Sequence, residues 1–149
     1  MPIAQKPGGS GGGTIPLNQA EINYTNVISA AGVGAGVAVA IVQVVSQLEY
    51  IPCDASPTGY SEAFAGFTAQ VIIPGGHGQL IVGRGSLVTP VVEGGAPLIP
   101  GQEVFLSLTP GEVTQTPVSG PGEINLRLGA AVSTTQLLLT TDAYYKFGG

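Results

Sequence analysis

Glycine and proline interrupt every apolar run of this chain, and this pattern limits its fold more than any other feature. The sequence has 24 glycines and 12 prolines, spread over its whole length. Both residues disfavour long helices and mark turns. Apolar residues still make up 44% of the chain, so short strands can bury a core. The sequence therefore predicts an all-β fold, a small antiparallel β-barrel or sandwich of about eight short strands.

The apolar segments between the turns give the candidate strands. They are Gly36–Val44, Gln47–Pro52, Gly66–Ile73, Gly78–Val92, Glu103–Leu108, Glu112–Thr116, Glu123–Val132 and Gln136–Thr140. Apolar and polar residues alternate clearly in Phe67–Val71 and Val104–Leu108, as in half-buried antiparallel strands. Thr109–Glu112 predicts a tight hairpin between two of these strands. Helix is expected to be limited at most to a turn or two around Leu17–Tyr24.

Residues 1–20 form a compositional unit of their own, in which prolines frame a run of glycines. Such a segment cannot fold alone, so we predict an extended N-terminal arm followed by a single β domain over residues 21–149. Ile3, Ile15 and Leu17 are candidate partner-binding residues, because they would give the arm apolar anchors. The alternative is an idle leader or a linker of the kind used for expression.

An uncharged run from Val27 to Val45 is about as long as a segment that spans a bilayer. Gly32, Gly34 and Gly36 occupy every second position, and β-branched residues dominate. These features favour a buried strand preceded by a glycine-rich turn over a transmembrane helix. We therefore expect no membrane partner.

Charged residues are scarce, at 9% of the chain, and acidic ones outnumber basic ones by nine to four. The four cations, Lys6, Arg84, Arg127 and Lys146, are far apart in sequence and make no basic stripe. The composition therefore argues against a nucleic-acid partner. The N-terminus does not have the pattern of a signal peptide, so we expect synthesis in the cytoplasm.

Few residues are suited to catalysis. Cys53 and His77 are the only cysteine and histidine, too few for a thiolate or imidazole zinc site within one chain. We expect His77 to be a surface turn residue and Cys53 a small buried apolar one. Gly83–Ser86 lacks the Gly-Lys-Ser/Thr of a phosphate loop, and a bulge within a strand is the better interpretation. We predict no enzyme, no catalytic residue, no cofactor and no metal site, although a carboxylate pair for glycoside hydrolysis is invisible in sequence.

The second half has a recognisable order of residues. The segments Gly101–Pro117, Gly120–Glu123 and Arg127–Leu139 resemble a β-rich module of tailed-bacteriophage structural proteins, in which a hairpin leads to a pair of strands. The resemblance departs from the module at Ala130–Ala131 and does not extend to the first fifty or so residues.

This resemblance implies a virion role, namely a capsid decoration (cement) protein bound to the outer surface of the head. The implied partner is the phage major capsid protein. The resemblance also favours a homo-oligomer, with a trimer preferred, since small cement proteins commonly sit at threefold positions. The alternative is a tail fibre or tail-tip module in which loops such as Pro74–Gly78 contact the host surface.

Overall fold

The computed structural model describes residues 20–140 and 144–146, and these residues form twelve short β-strands. Helical structure within them is limited to the 3-10 turns Ser61–Ala63 and Glu93–Gly95. The predicted all-β class is confirmed. The strands are β1 (Ala20–Asn23), β2 (Val27–Ile28), β3 (Ala38–Val44), β4 (Gln47–Pro52), β5 (Phe64–Thr68), β6 (Gln79–Val82), β7 (Leu87–Val88), β8 (Glu103–Leu106), β9 (Val113–Thr114), β10 (Ile124–Ala131), β11 (Leu137–Leu139) and β12 (Tyr144–Lys146).

The first sheet has the order β1-β6-β5-β3-β4-β2. Its pairs are antiparallel except for β2 and β4, which run parallel. Isolated bridges from Ser29 to Gly76 and from Val33 to Ile72 join the segment after β2 to the segment before β6. The sheet therefore curls back on itself in a barrel-like manner.

The second sheet has the order β9-β8-β10-β11-β7, with all pairs antiparallel. The long strand β10 is its centre. One end of β10 pairs with β8 and β11, and the other end, Ile124–Leu126, pairs with β12. The register shifts between Arg127 and Gly129, which bends β10 and helps the sheet to curl.

Two apolar cores lie on opposite faces of β3. Ala38 and Ala40 belong to the core that is filled mainly by the second sheet. Val39 belongs to the other core, which the first sheet encloses and which also contains Tyr50 and Leu80. Consecutive side chains of a strand point to opposite faces. All three β3 residues are fully buried, so both faces of β3 are covered. A strand that is buried on both faces must be apolar throughout, which explains the uncharged run.

The predicted buried strand within Val27–Val45 is thus confirmed as β3. Gly36, at a φ of +73°, is part of the turn before it, and the carbonyl of Thr89 lies so close that no Cβ fits there. In the part of the chain that the structure describes, no helix is long and apolar enough to cross a membrane.

Backbone hydrogen bonds tie the two sheets together. The amide of Ala38 donates to the carbonyl of Gly111 at 2.9 Å, and the amide of Gly111 donates to Cys53 at 2.8 Å. Farther along, Val91 donates to Gly36 and Ile124 donates to Ala55. The ends of β3 and β4 are therefore held against the turn between β8 and β9.

That turn was predicted, and the prediction is confirmed. Val113 pairs with Leu106 and Thr114 with Phe105. The amide of Glu112 donates to Thr109 at 3.1 Å, and Gly111 has a φ of +80°. A proline followed by a glycine of positive φ is the signature of a type II turn.

Helix around Leu17–Tyr24 was expected to be limited to a turn or two at most, and the described part of this segment contains strand β1, because residues 20–23 pair with β6. Two predictions about individual strands were wrong. The strand predicted over Gly78–Val92 is split into β6 and β7, since Gly83 and Gly85 both have positive φ and a turn forms between them. The strand predicted over Gly66–Ile73 ends at Thr68.

Candidate functional site

The arm residues named from the sequence, Ile3, Ile15 and Leu17, lie outside the described residues. Their role in binding stays a prediction. The described chain begins at Ala20 in β1.

The most distinctive surface in the described structure is an antiparallel ribbon of residues 29–33 and 71–76, here called the charge-free ribbon. Four backbone hydrogen bonds hold its two segments together. Val33 and Ile72 each donate their amide to the other's carbonyl oxygen, at 2.9 and 2.8 Å. The amide of Ser29 donates to the carbonyl of Gly76 at 2.9 Å, and the carbonyl of Ser29 accepts from the amide of Gly75 at 2.7 Å. These bonds form two isolated bridges outside the named strands, and they join the two segments side by side.

Side chains alternate across the ribbon. Val33 and Ile72 point inward into the core of the first sheet. Val71 and Ile73, on either side of Ile72, are 68% and 69% exposed. Two large aliphatic side chains therefore lie on the outer face of this segment. Contiguous exposed apolar surface is typical of contact surfaces.

Both segments of the ribbon lie within long stretches of sequence that contain no charged residue. Residues 22–48 and 63–83 contain no aspartate, glutamate, lysine or arginine, and the ribbon segments lie within these two runs. The charged residues all fall outside them. The fold brings the two uncharged runs together, and the sequence alone does not reveal this.

His77 follows the ribbon and is exposed, as predicted for a turn residue. Its Nδ1 lies 2.7 Å from the carbonyl oxygen of Val27. A carbonyl oxygen can only accept, so Nδ1 carries the proton and donates it. The ring thus holds the segment before β6 against β2, which is a structural role.

Cys53 is fully buried at the end of β4, as predicted. Burial, with a smaller contribution from the charge of Asp54, raises the pKa of its thiol to about 12. The thiol is therefore protonated at neutral pH and is not a nucleophile there.

The segment Gly83–Ser86 is a turn and not the predicted bulge inside a strand. The amide of Ser86 donates to Gly83, and its buried hydroxyl donates to the carbonyl of Val82 at 2.8 Å. These bonds close the turn on its own backbone. Within residues 20–140 and 144–146, no group of three or more histidine, cysteine, aspartate or glutamate side chains is placed to hold a metal ion.

Sequence reasoning missed two surface features of the molecule. Val71 and Ile73 were assigned to a strand, and no signal indicated that the outer face of this segment is left uncovered. The loop before β5 was also missed, although Asp54 and the Ser56-Pro57-Thr58-Gly59 segment carry typical turn chemistry. This loop lines a cavity with Tyr60 and Ser61.

Comparison with known proteins does not assign the chain to a family. No family model matches the chain, and no curated protein matches it. A function must therefore be inferred from the surface itself.

Proposed function

We propose that this chain is a bacteriophage capsid decoration (cement) protein, a non-enzymatic module that binds the outer surface of the assembled head and stabilises it. The charge-free ribbon is the observation that carries the proposal. The resemblance of residues 101–139 to phage structural modules supports the same role. A protein that binds only the assembled state stabilises that state by mass action, and no chemistry is required of it.

The ribbon is suited to contact because its desolvation costs little. Burying an unpaired charge is expensive, and the ribbon has no formal charge to bury. Burying Val71 and Ile73 is favourable, since each is about two-thirds exposed in the free chain. We assign the ribbon as the face that contacts the major capsid protein.

The chain's net charge of −5 bears on how copies are arranged. Neighbouring copies repel each other unless their acidic residues are kept apart. We propose a homo-oligomer on the capsid, with a trimer preferred, in which the acidic residues of neighbouring copies are kept apart and each copy contacts the capsid through its ribbon. Sedimentation of the isolated protein measures the mass of this oligomer, and we expect three times the mass of one chain.

The test uses undecorated capsids and a charge placed on the ribbon. We expect Ile73→Glu to reduce affinity for capsids by about tenfold or more, because the new carboxylate must be desolvated on binding. The matched control is Val132→Glu, which puts the same charge on another exposed aliphatic position, after β10. Occupancy per capsid is measured against protein concentration, with melting temperatures checking the fold. Equal binding by both variants would contradict the ribbon's role.

Location on the virion separates this proposal from the alternative, a tail fibre or tail-tip module that contacts the host. Gold-labelled antibody against the chain is imaged on purified virions by electron microscopy. Label distributed over the head supports decoration. Label confined to the tail overturns it in favour of the alternative.

A further inference from the structure

A cavity of about 450 Å³ lies between the loop before β5 and the start of β10. Its lining includes Pro57, Thr58, Tyr60, Ser61 and Glu62 from the loop and Ile124 from β10. Its size falls within the range of small-molecule sites, roughly 300 to 1,000 Å³. None of these residues belongs to the charge-free ribbon.

The loop that forms one wall is fixed by its own hydrogen bonds. The amide of Asp54 donates to Gly59 at 2.9 Å, and the amide of Ser56 donates to Oδ1 of Asp54 at 2.8 Å. Gly59 packs so closely on Asp54 that a Cβ there would overlap its carboxylate. The wall is therefore pre-organised, which lowers the entropic cost of binding a ligand.

Tyr60 has a backbone conformation that a tyrosine rarely adopts. Its φ is +61° and its ψ is +21°, in the left-handed region that favours glycine and asparagine. Its side chain is nevertheless large and 49% exposed. A strained, bulky residue at the edge of a cavity is a feature of functional sites, where the side chain is needed despite the strain.

Ser61 provides an independent indication. It lines the cavity and is only 4% exposed, and its Oγ has no hydrogen-bond partner among the described residues. A buried hydroxyl without a partner destabilises the free protein. This oxygen has almost no accessible surface, so the side chain must turn to another staggered rotamer to meet a ligand hydroxyl in the cavity.

The lining favours a polar ligand that has apolar faces and no negative charge. Glu62 is the only charged residue of the lining, so the cavity has no cation to bind an anionic ligand. Thr58 and Ser61 both donate and accept hydrogen bonds, and Glu62 accepts them. Tyr60, Pro57 and Ile124 offer apolar surface. A pyranose ring matches this set, because it presents hydroxyl groups at its rim and C–H groups on its faces.

We propose that this cavity binds a neutral sugar, packed against Tyr60 and hydrogen-bonded to Ser61 and Glu62. Sugar binding goes beyond capsid decoration and is measured on the isolated full-length chain. Its failure would leave the capsid proposal untouched, and the reverse also holds.

The experiment titrates the ¹⁵N-labelled full chain with the methyl pyranosides of glucose, galactose, mannose and N-acetylglucosamine. Concentrations up to about 10 mM are needed, because a ligand with few contacts binds weakly. We expect at least one sugar to give saturable shifts in the amide signals of residues 57–63 and 124. Nα-acetyl-lysine methyl ester is titrated in parallel, because the aromatic ring of Tyr60 and the carboxylate of Glu62 attract a cation.

Two variants separate binding from folding. Tyr60→Gly removes the ring and relieves the left-handed strain, and Ser61→Ala removes the unpaired hydroxyl. We expect each to weaken sugar binding by about tenfold, the loss of one well-placed contact, while the melting temperature stays the same or rises. The matched control is Thr135→Ala, which removes an exposed hydroxyl outside this cavity and should leave affinity unchanged.

The proposal is overturned by any of three results. The first is that no sugar gives a saturable shift, or that the shifts map elsewhere. The second is that the lysine ester binds at these residues and the sugars do not. The third is that Tyr60→Gly and Ser61→Ala both bind sugar as tightly as the unmodified chain.

Discussion

At the scale of single residues, Cys53 contacts both sheets. Its amide donates to Ala38 in β3, and its carbonyl accepts from Gly111 in the turn between β8 and β9. Its side chain belongs to the core that contains residues of both sheets. The thiol is consequently removed from water, and burial is the main cause of its raised pKa.

This raised pKa predicts a loss of stability at alkaline pH. The thiol ionises near its ordinary value of 9.0 when the chain is unfolded, but only at about 12 when it is folded. Below pH 9.0 both states are protonated and the stabilisation is complete. Between these values only the unfolded state loses its proton, so the free energy of unfolding falls by about 1.4 kcal/mol per pH unit.

Urea unfolding from below pH 9.0 towards pH 12 measures this slope. Cys53→Ala is the control, since it lacks the thiol. Burial also raises the pKa of Tyr50, but that residue is present in both proteins and its effect cancels in the difference. Identical slopes for the two proteins would contradict the prediction.

At the scale of elements, the β3–β4 hairpin has an unusual tip. Val44 pairs with Gln47, so Val45 and Ser46 form a two-residue turn. Val45 has a φ of +56° and is 96% exposed. Hairpin turns of this length favour glycine or asparagine where φ is positive, and a β-branched residue is strained there.

We expect Val45→Gly to raise the free energy of unfolding by about 1 kcal/mol. The left-handed conformation costs an L-residue about 1 to 2 kcal/mol, and the greater freedom of glycine in the unfolded chain offsets part of this gain. Val132→Gly is the matched control, because Val132 is exposed without a positive φ and should lose stability on substitution. Chemical denaturation of both variants checks the sign, and a destabilised Val45→Gly would count against the strain.

Local signals explain which elements the sequence predicts well. The bounds of β4 are those predicted, and β3 and β10 differ from prediction by only a few residues, because apolar periodicity and turn residues mark their ends. β1 was missed because it is defined by its pairing with β6, far along the chain. The ribbon and the Tyr60 cavity were missed for the same reason. Each is formed by segments distant in sequence, and exposure appears only after folding.

At the scale of the whole molecule, the two sheets carry different surface features. The second sheet carries the ion pair between Arg127 and Glu103, whose atoms lie 2.7 Å apart on partly exposed side chains. The first sheet carries the charge-free ribbon. An exposed ion pair of this kind contributes little to stability. The ribbon, which has no formal charge, is the face that we propose for contact with the capsid.

The N-terminal arm, whose residues 1–19 lie outside the described structure, would add a second attachment. The hypothesis is a tether, because the glycine run supplies reach and Ile3, Ile15 and Leu17 supply apolar anchors. Twenty extended residues span about 65 Å, enough to reach a neighbouring subunit. A tether makes later contacts intramolecular, so its removal should weaken capsid binding much more than it affects the fold.

Deleting residues 2–17 keeps every described strand, so we expect the melting temperature to stay within about 2 °C, as for changes that remove no packed contact. Occupancy on undecorated capsids should fall by about tenfold or more, within the range that linked binding sites produce. A variant with Ile3, Ile15 and Leu17 replaced by serine keeps the length and loses only the anchors. If both variants lose occupancy, the anchors carry the attachment, whereas a loss in the deletion alone assigns it to other arm residues. Full occupancy by the deletion would make the arm an idle leader and leave attachment to the ribbon.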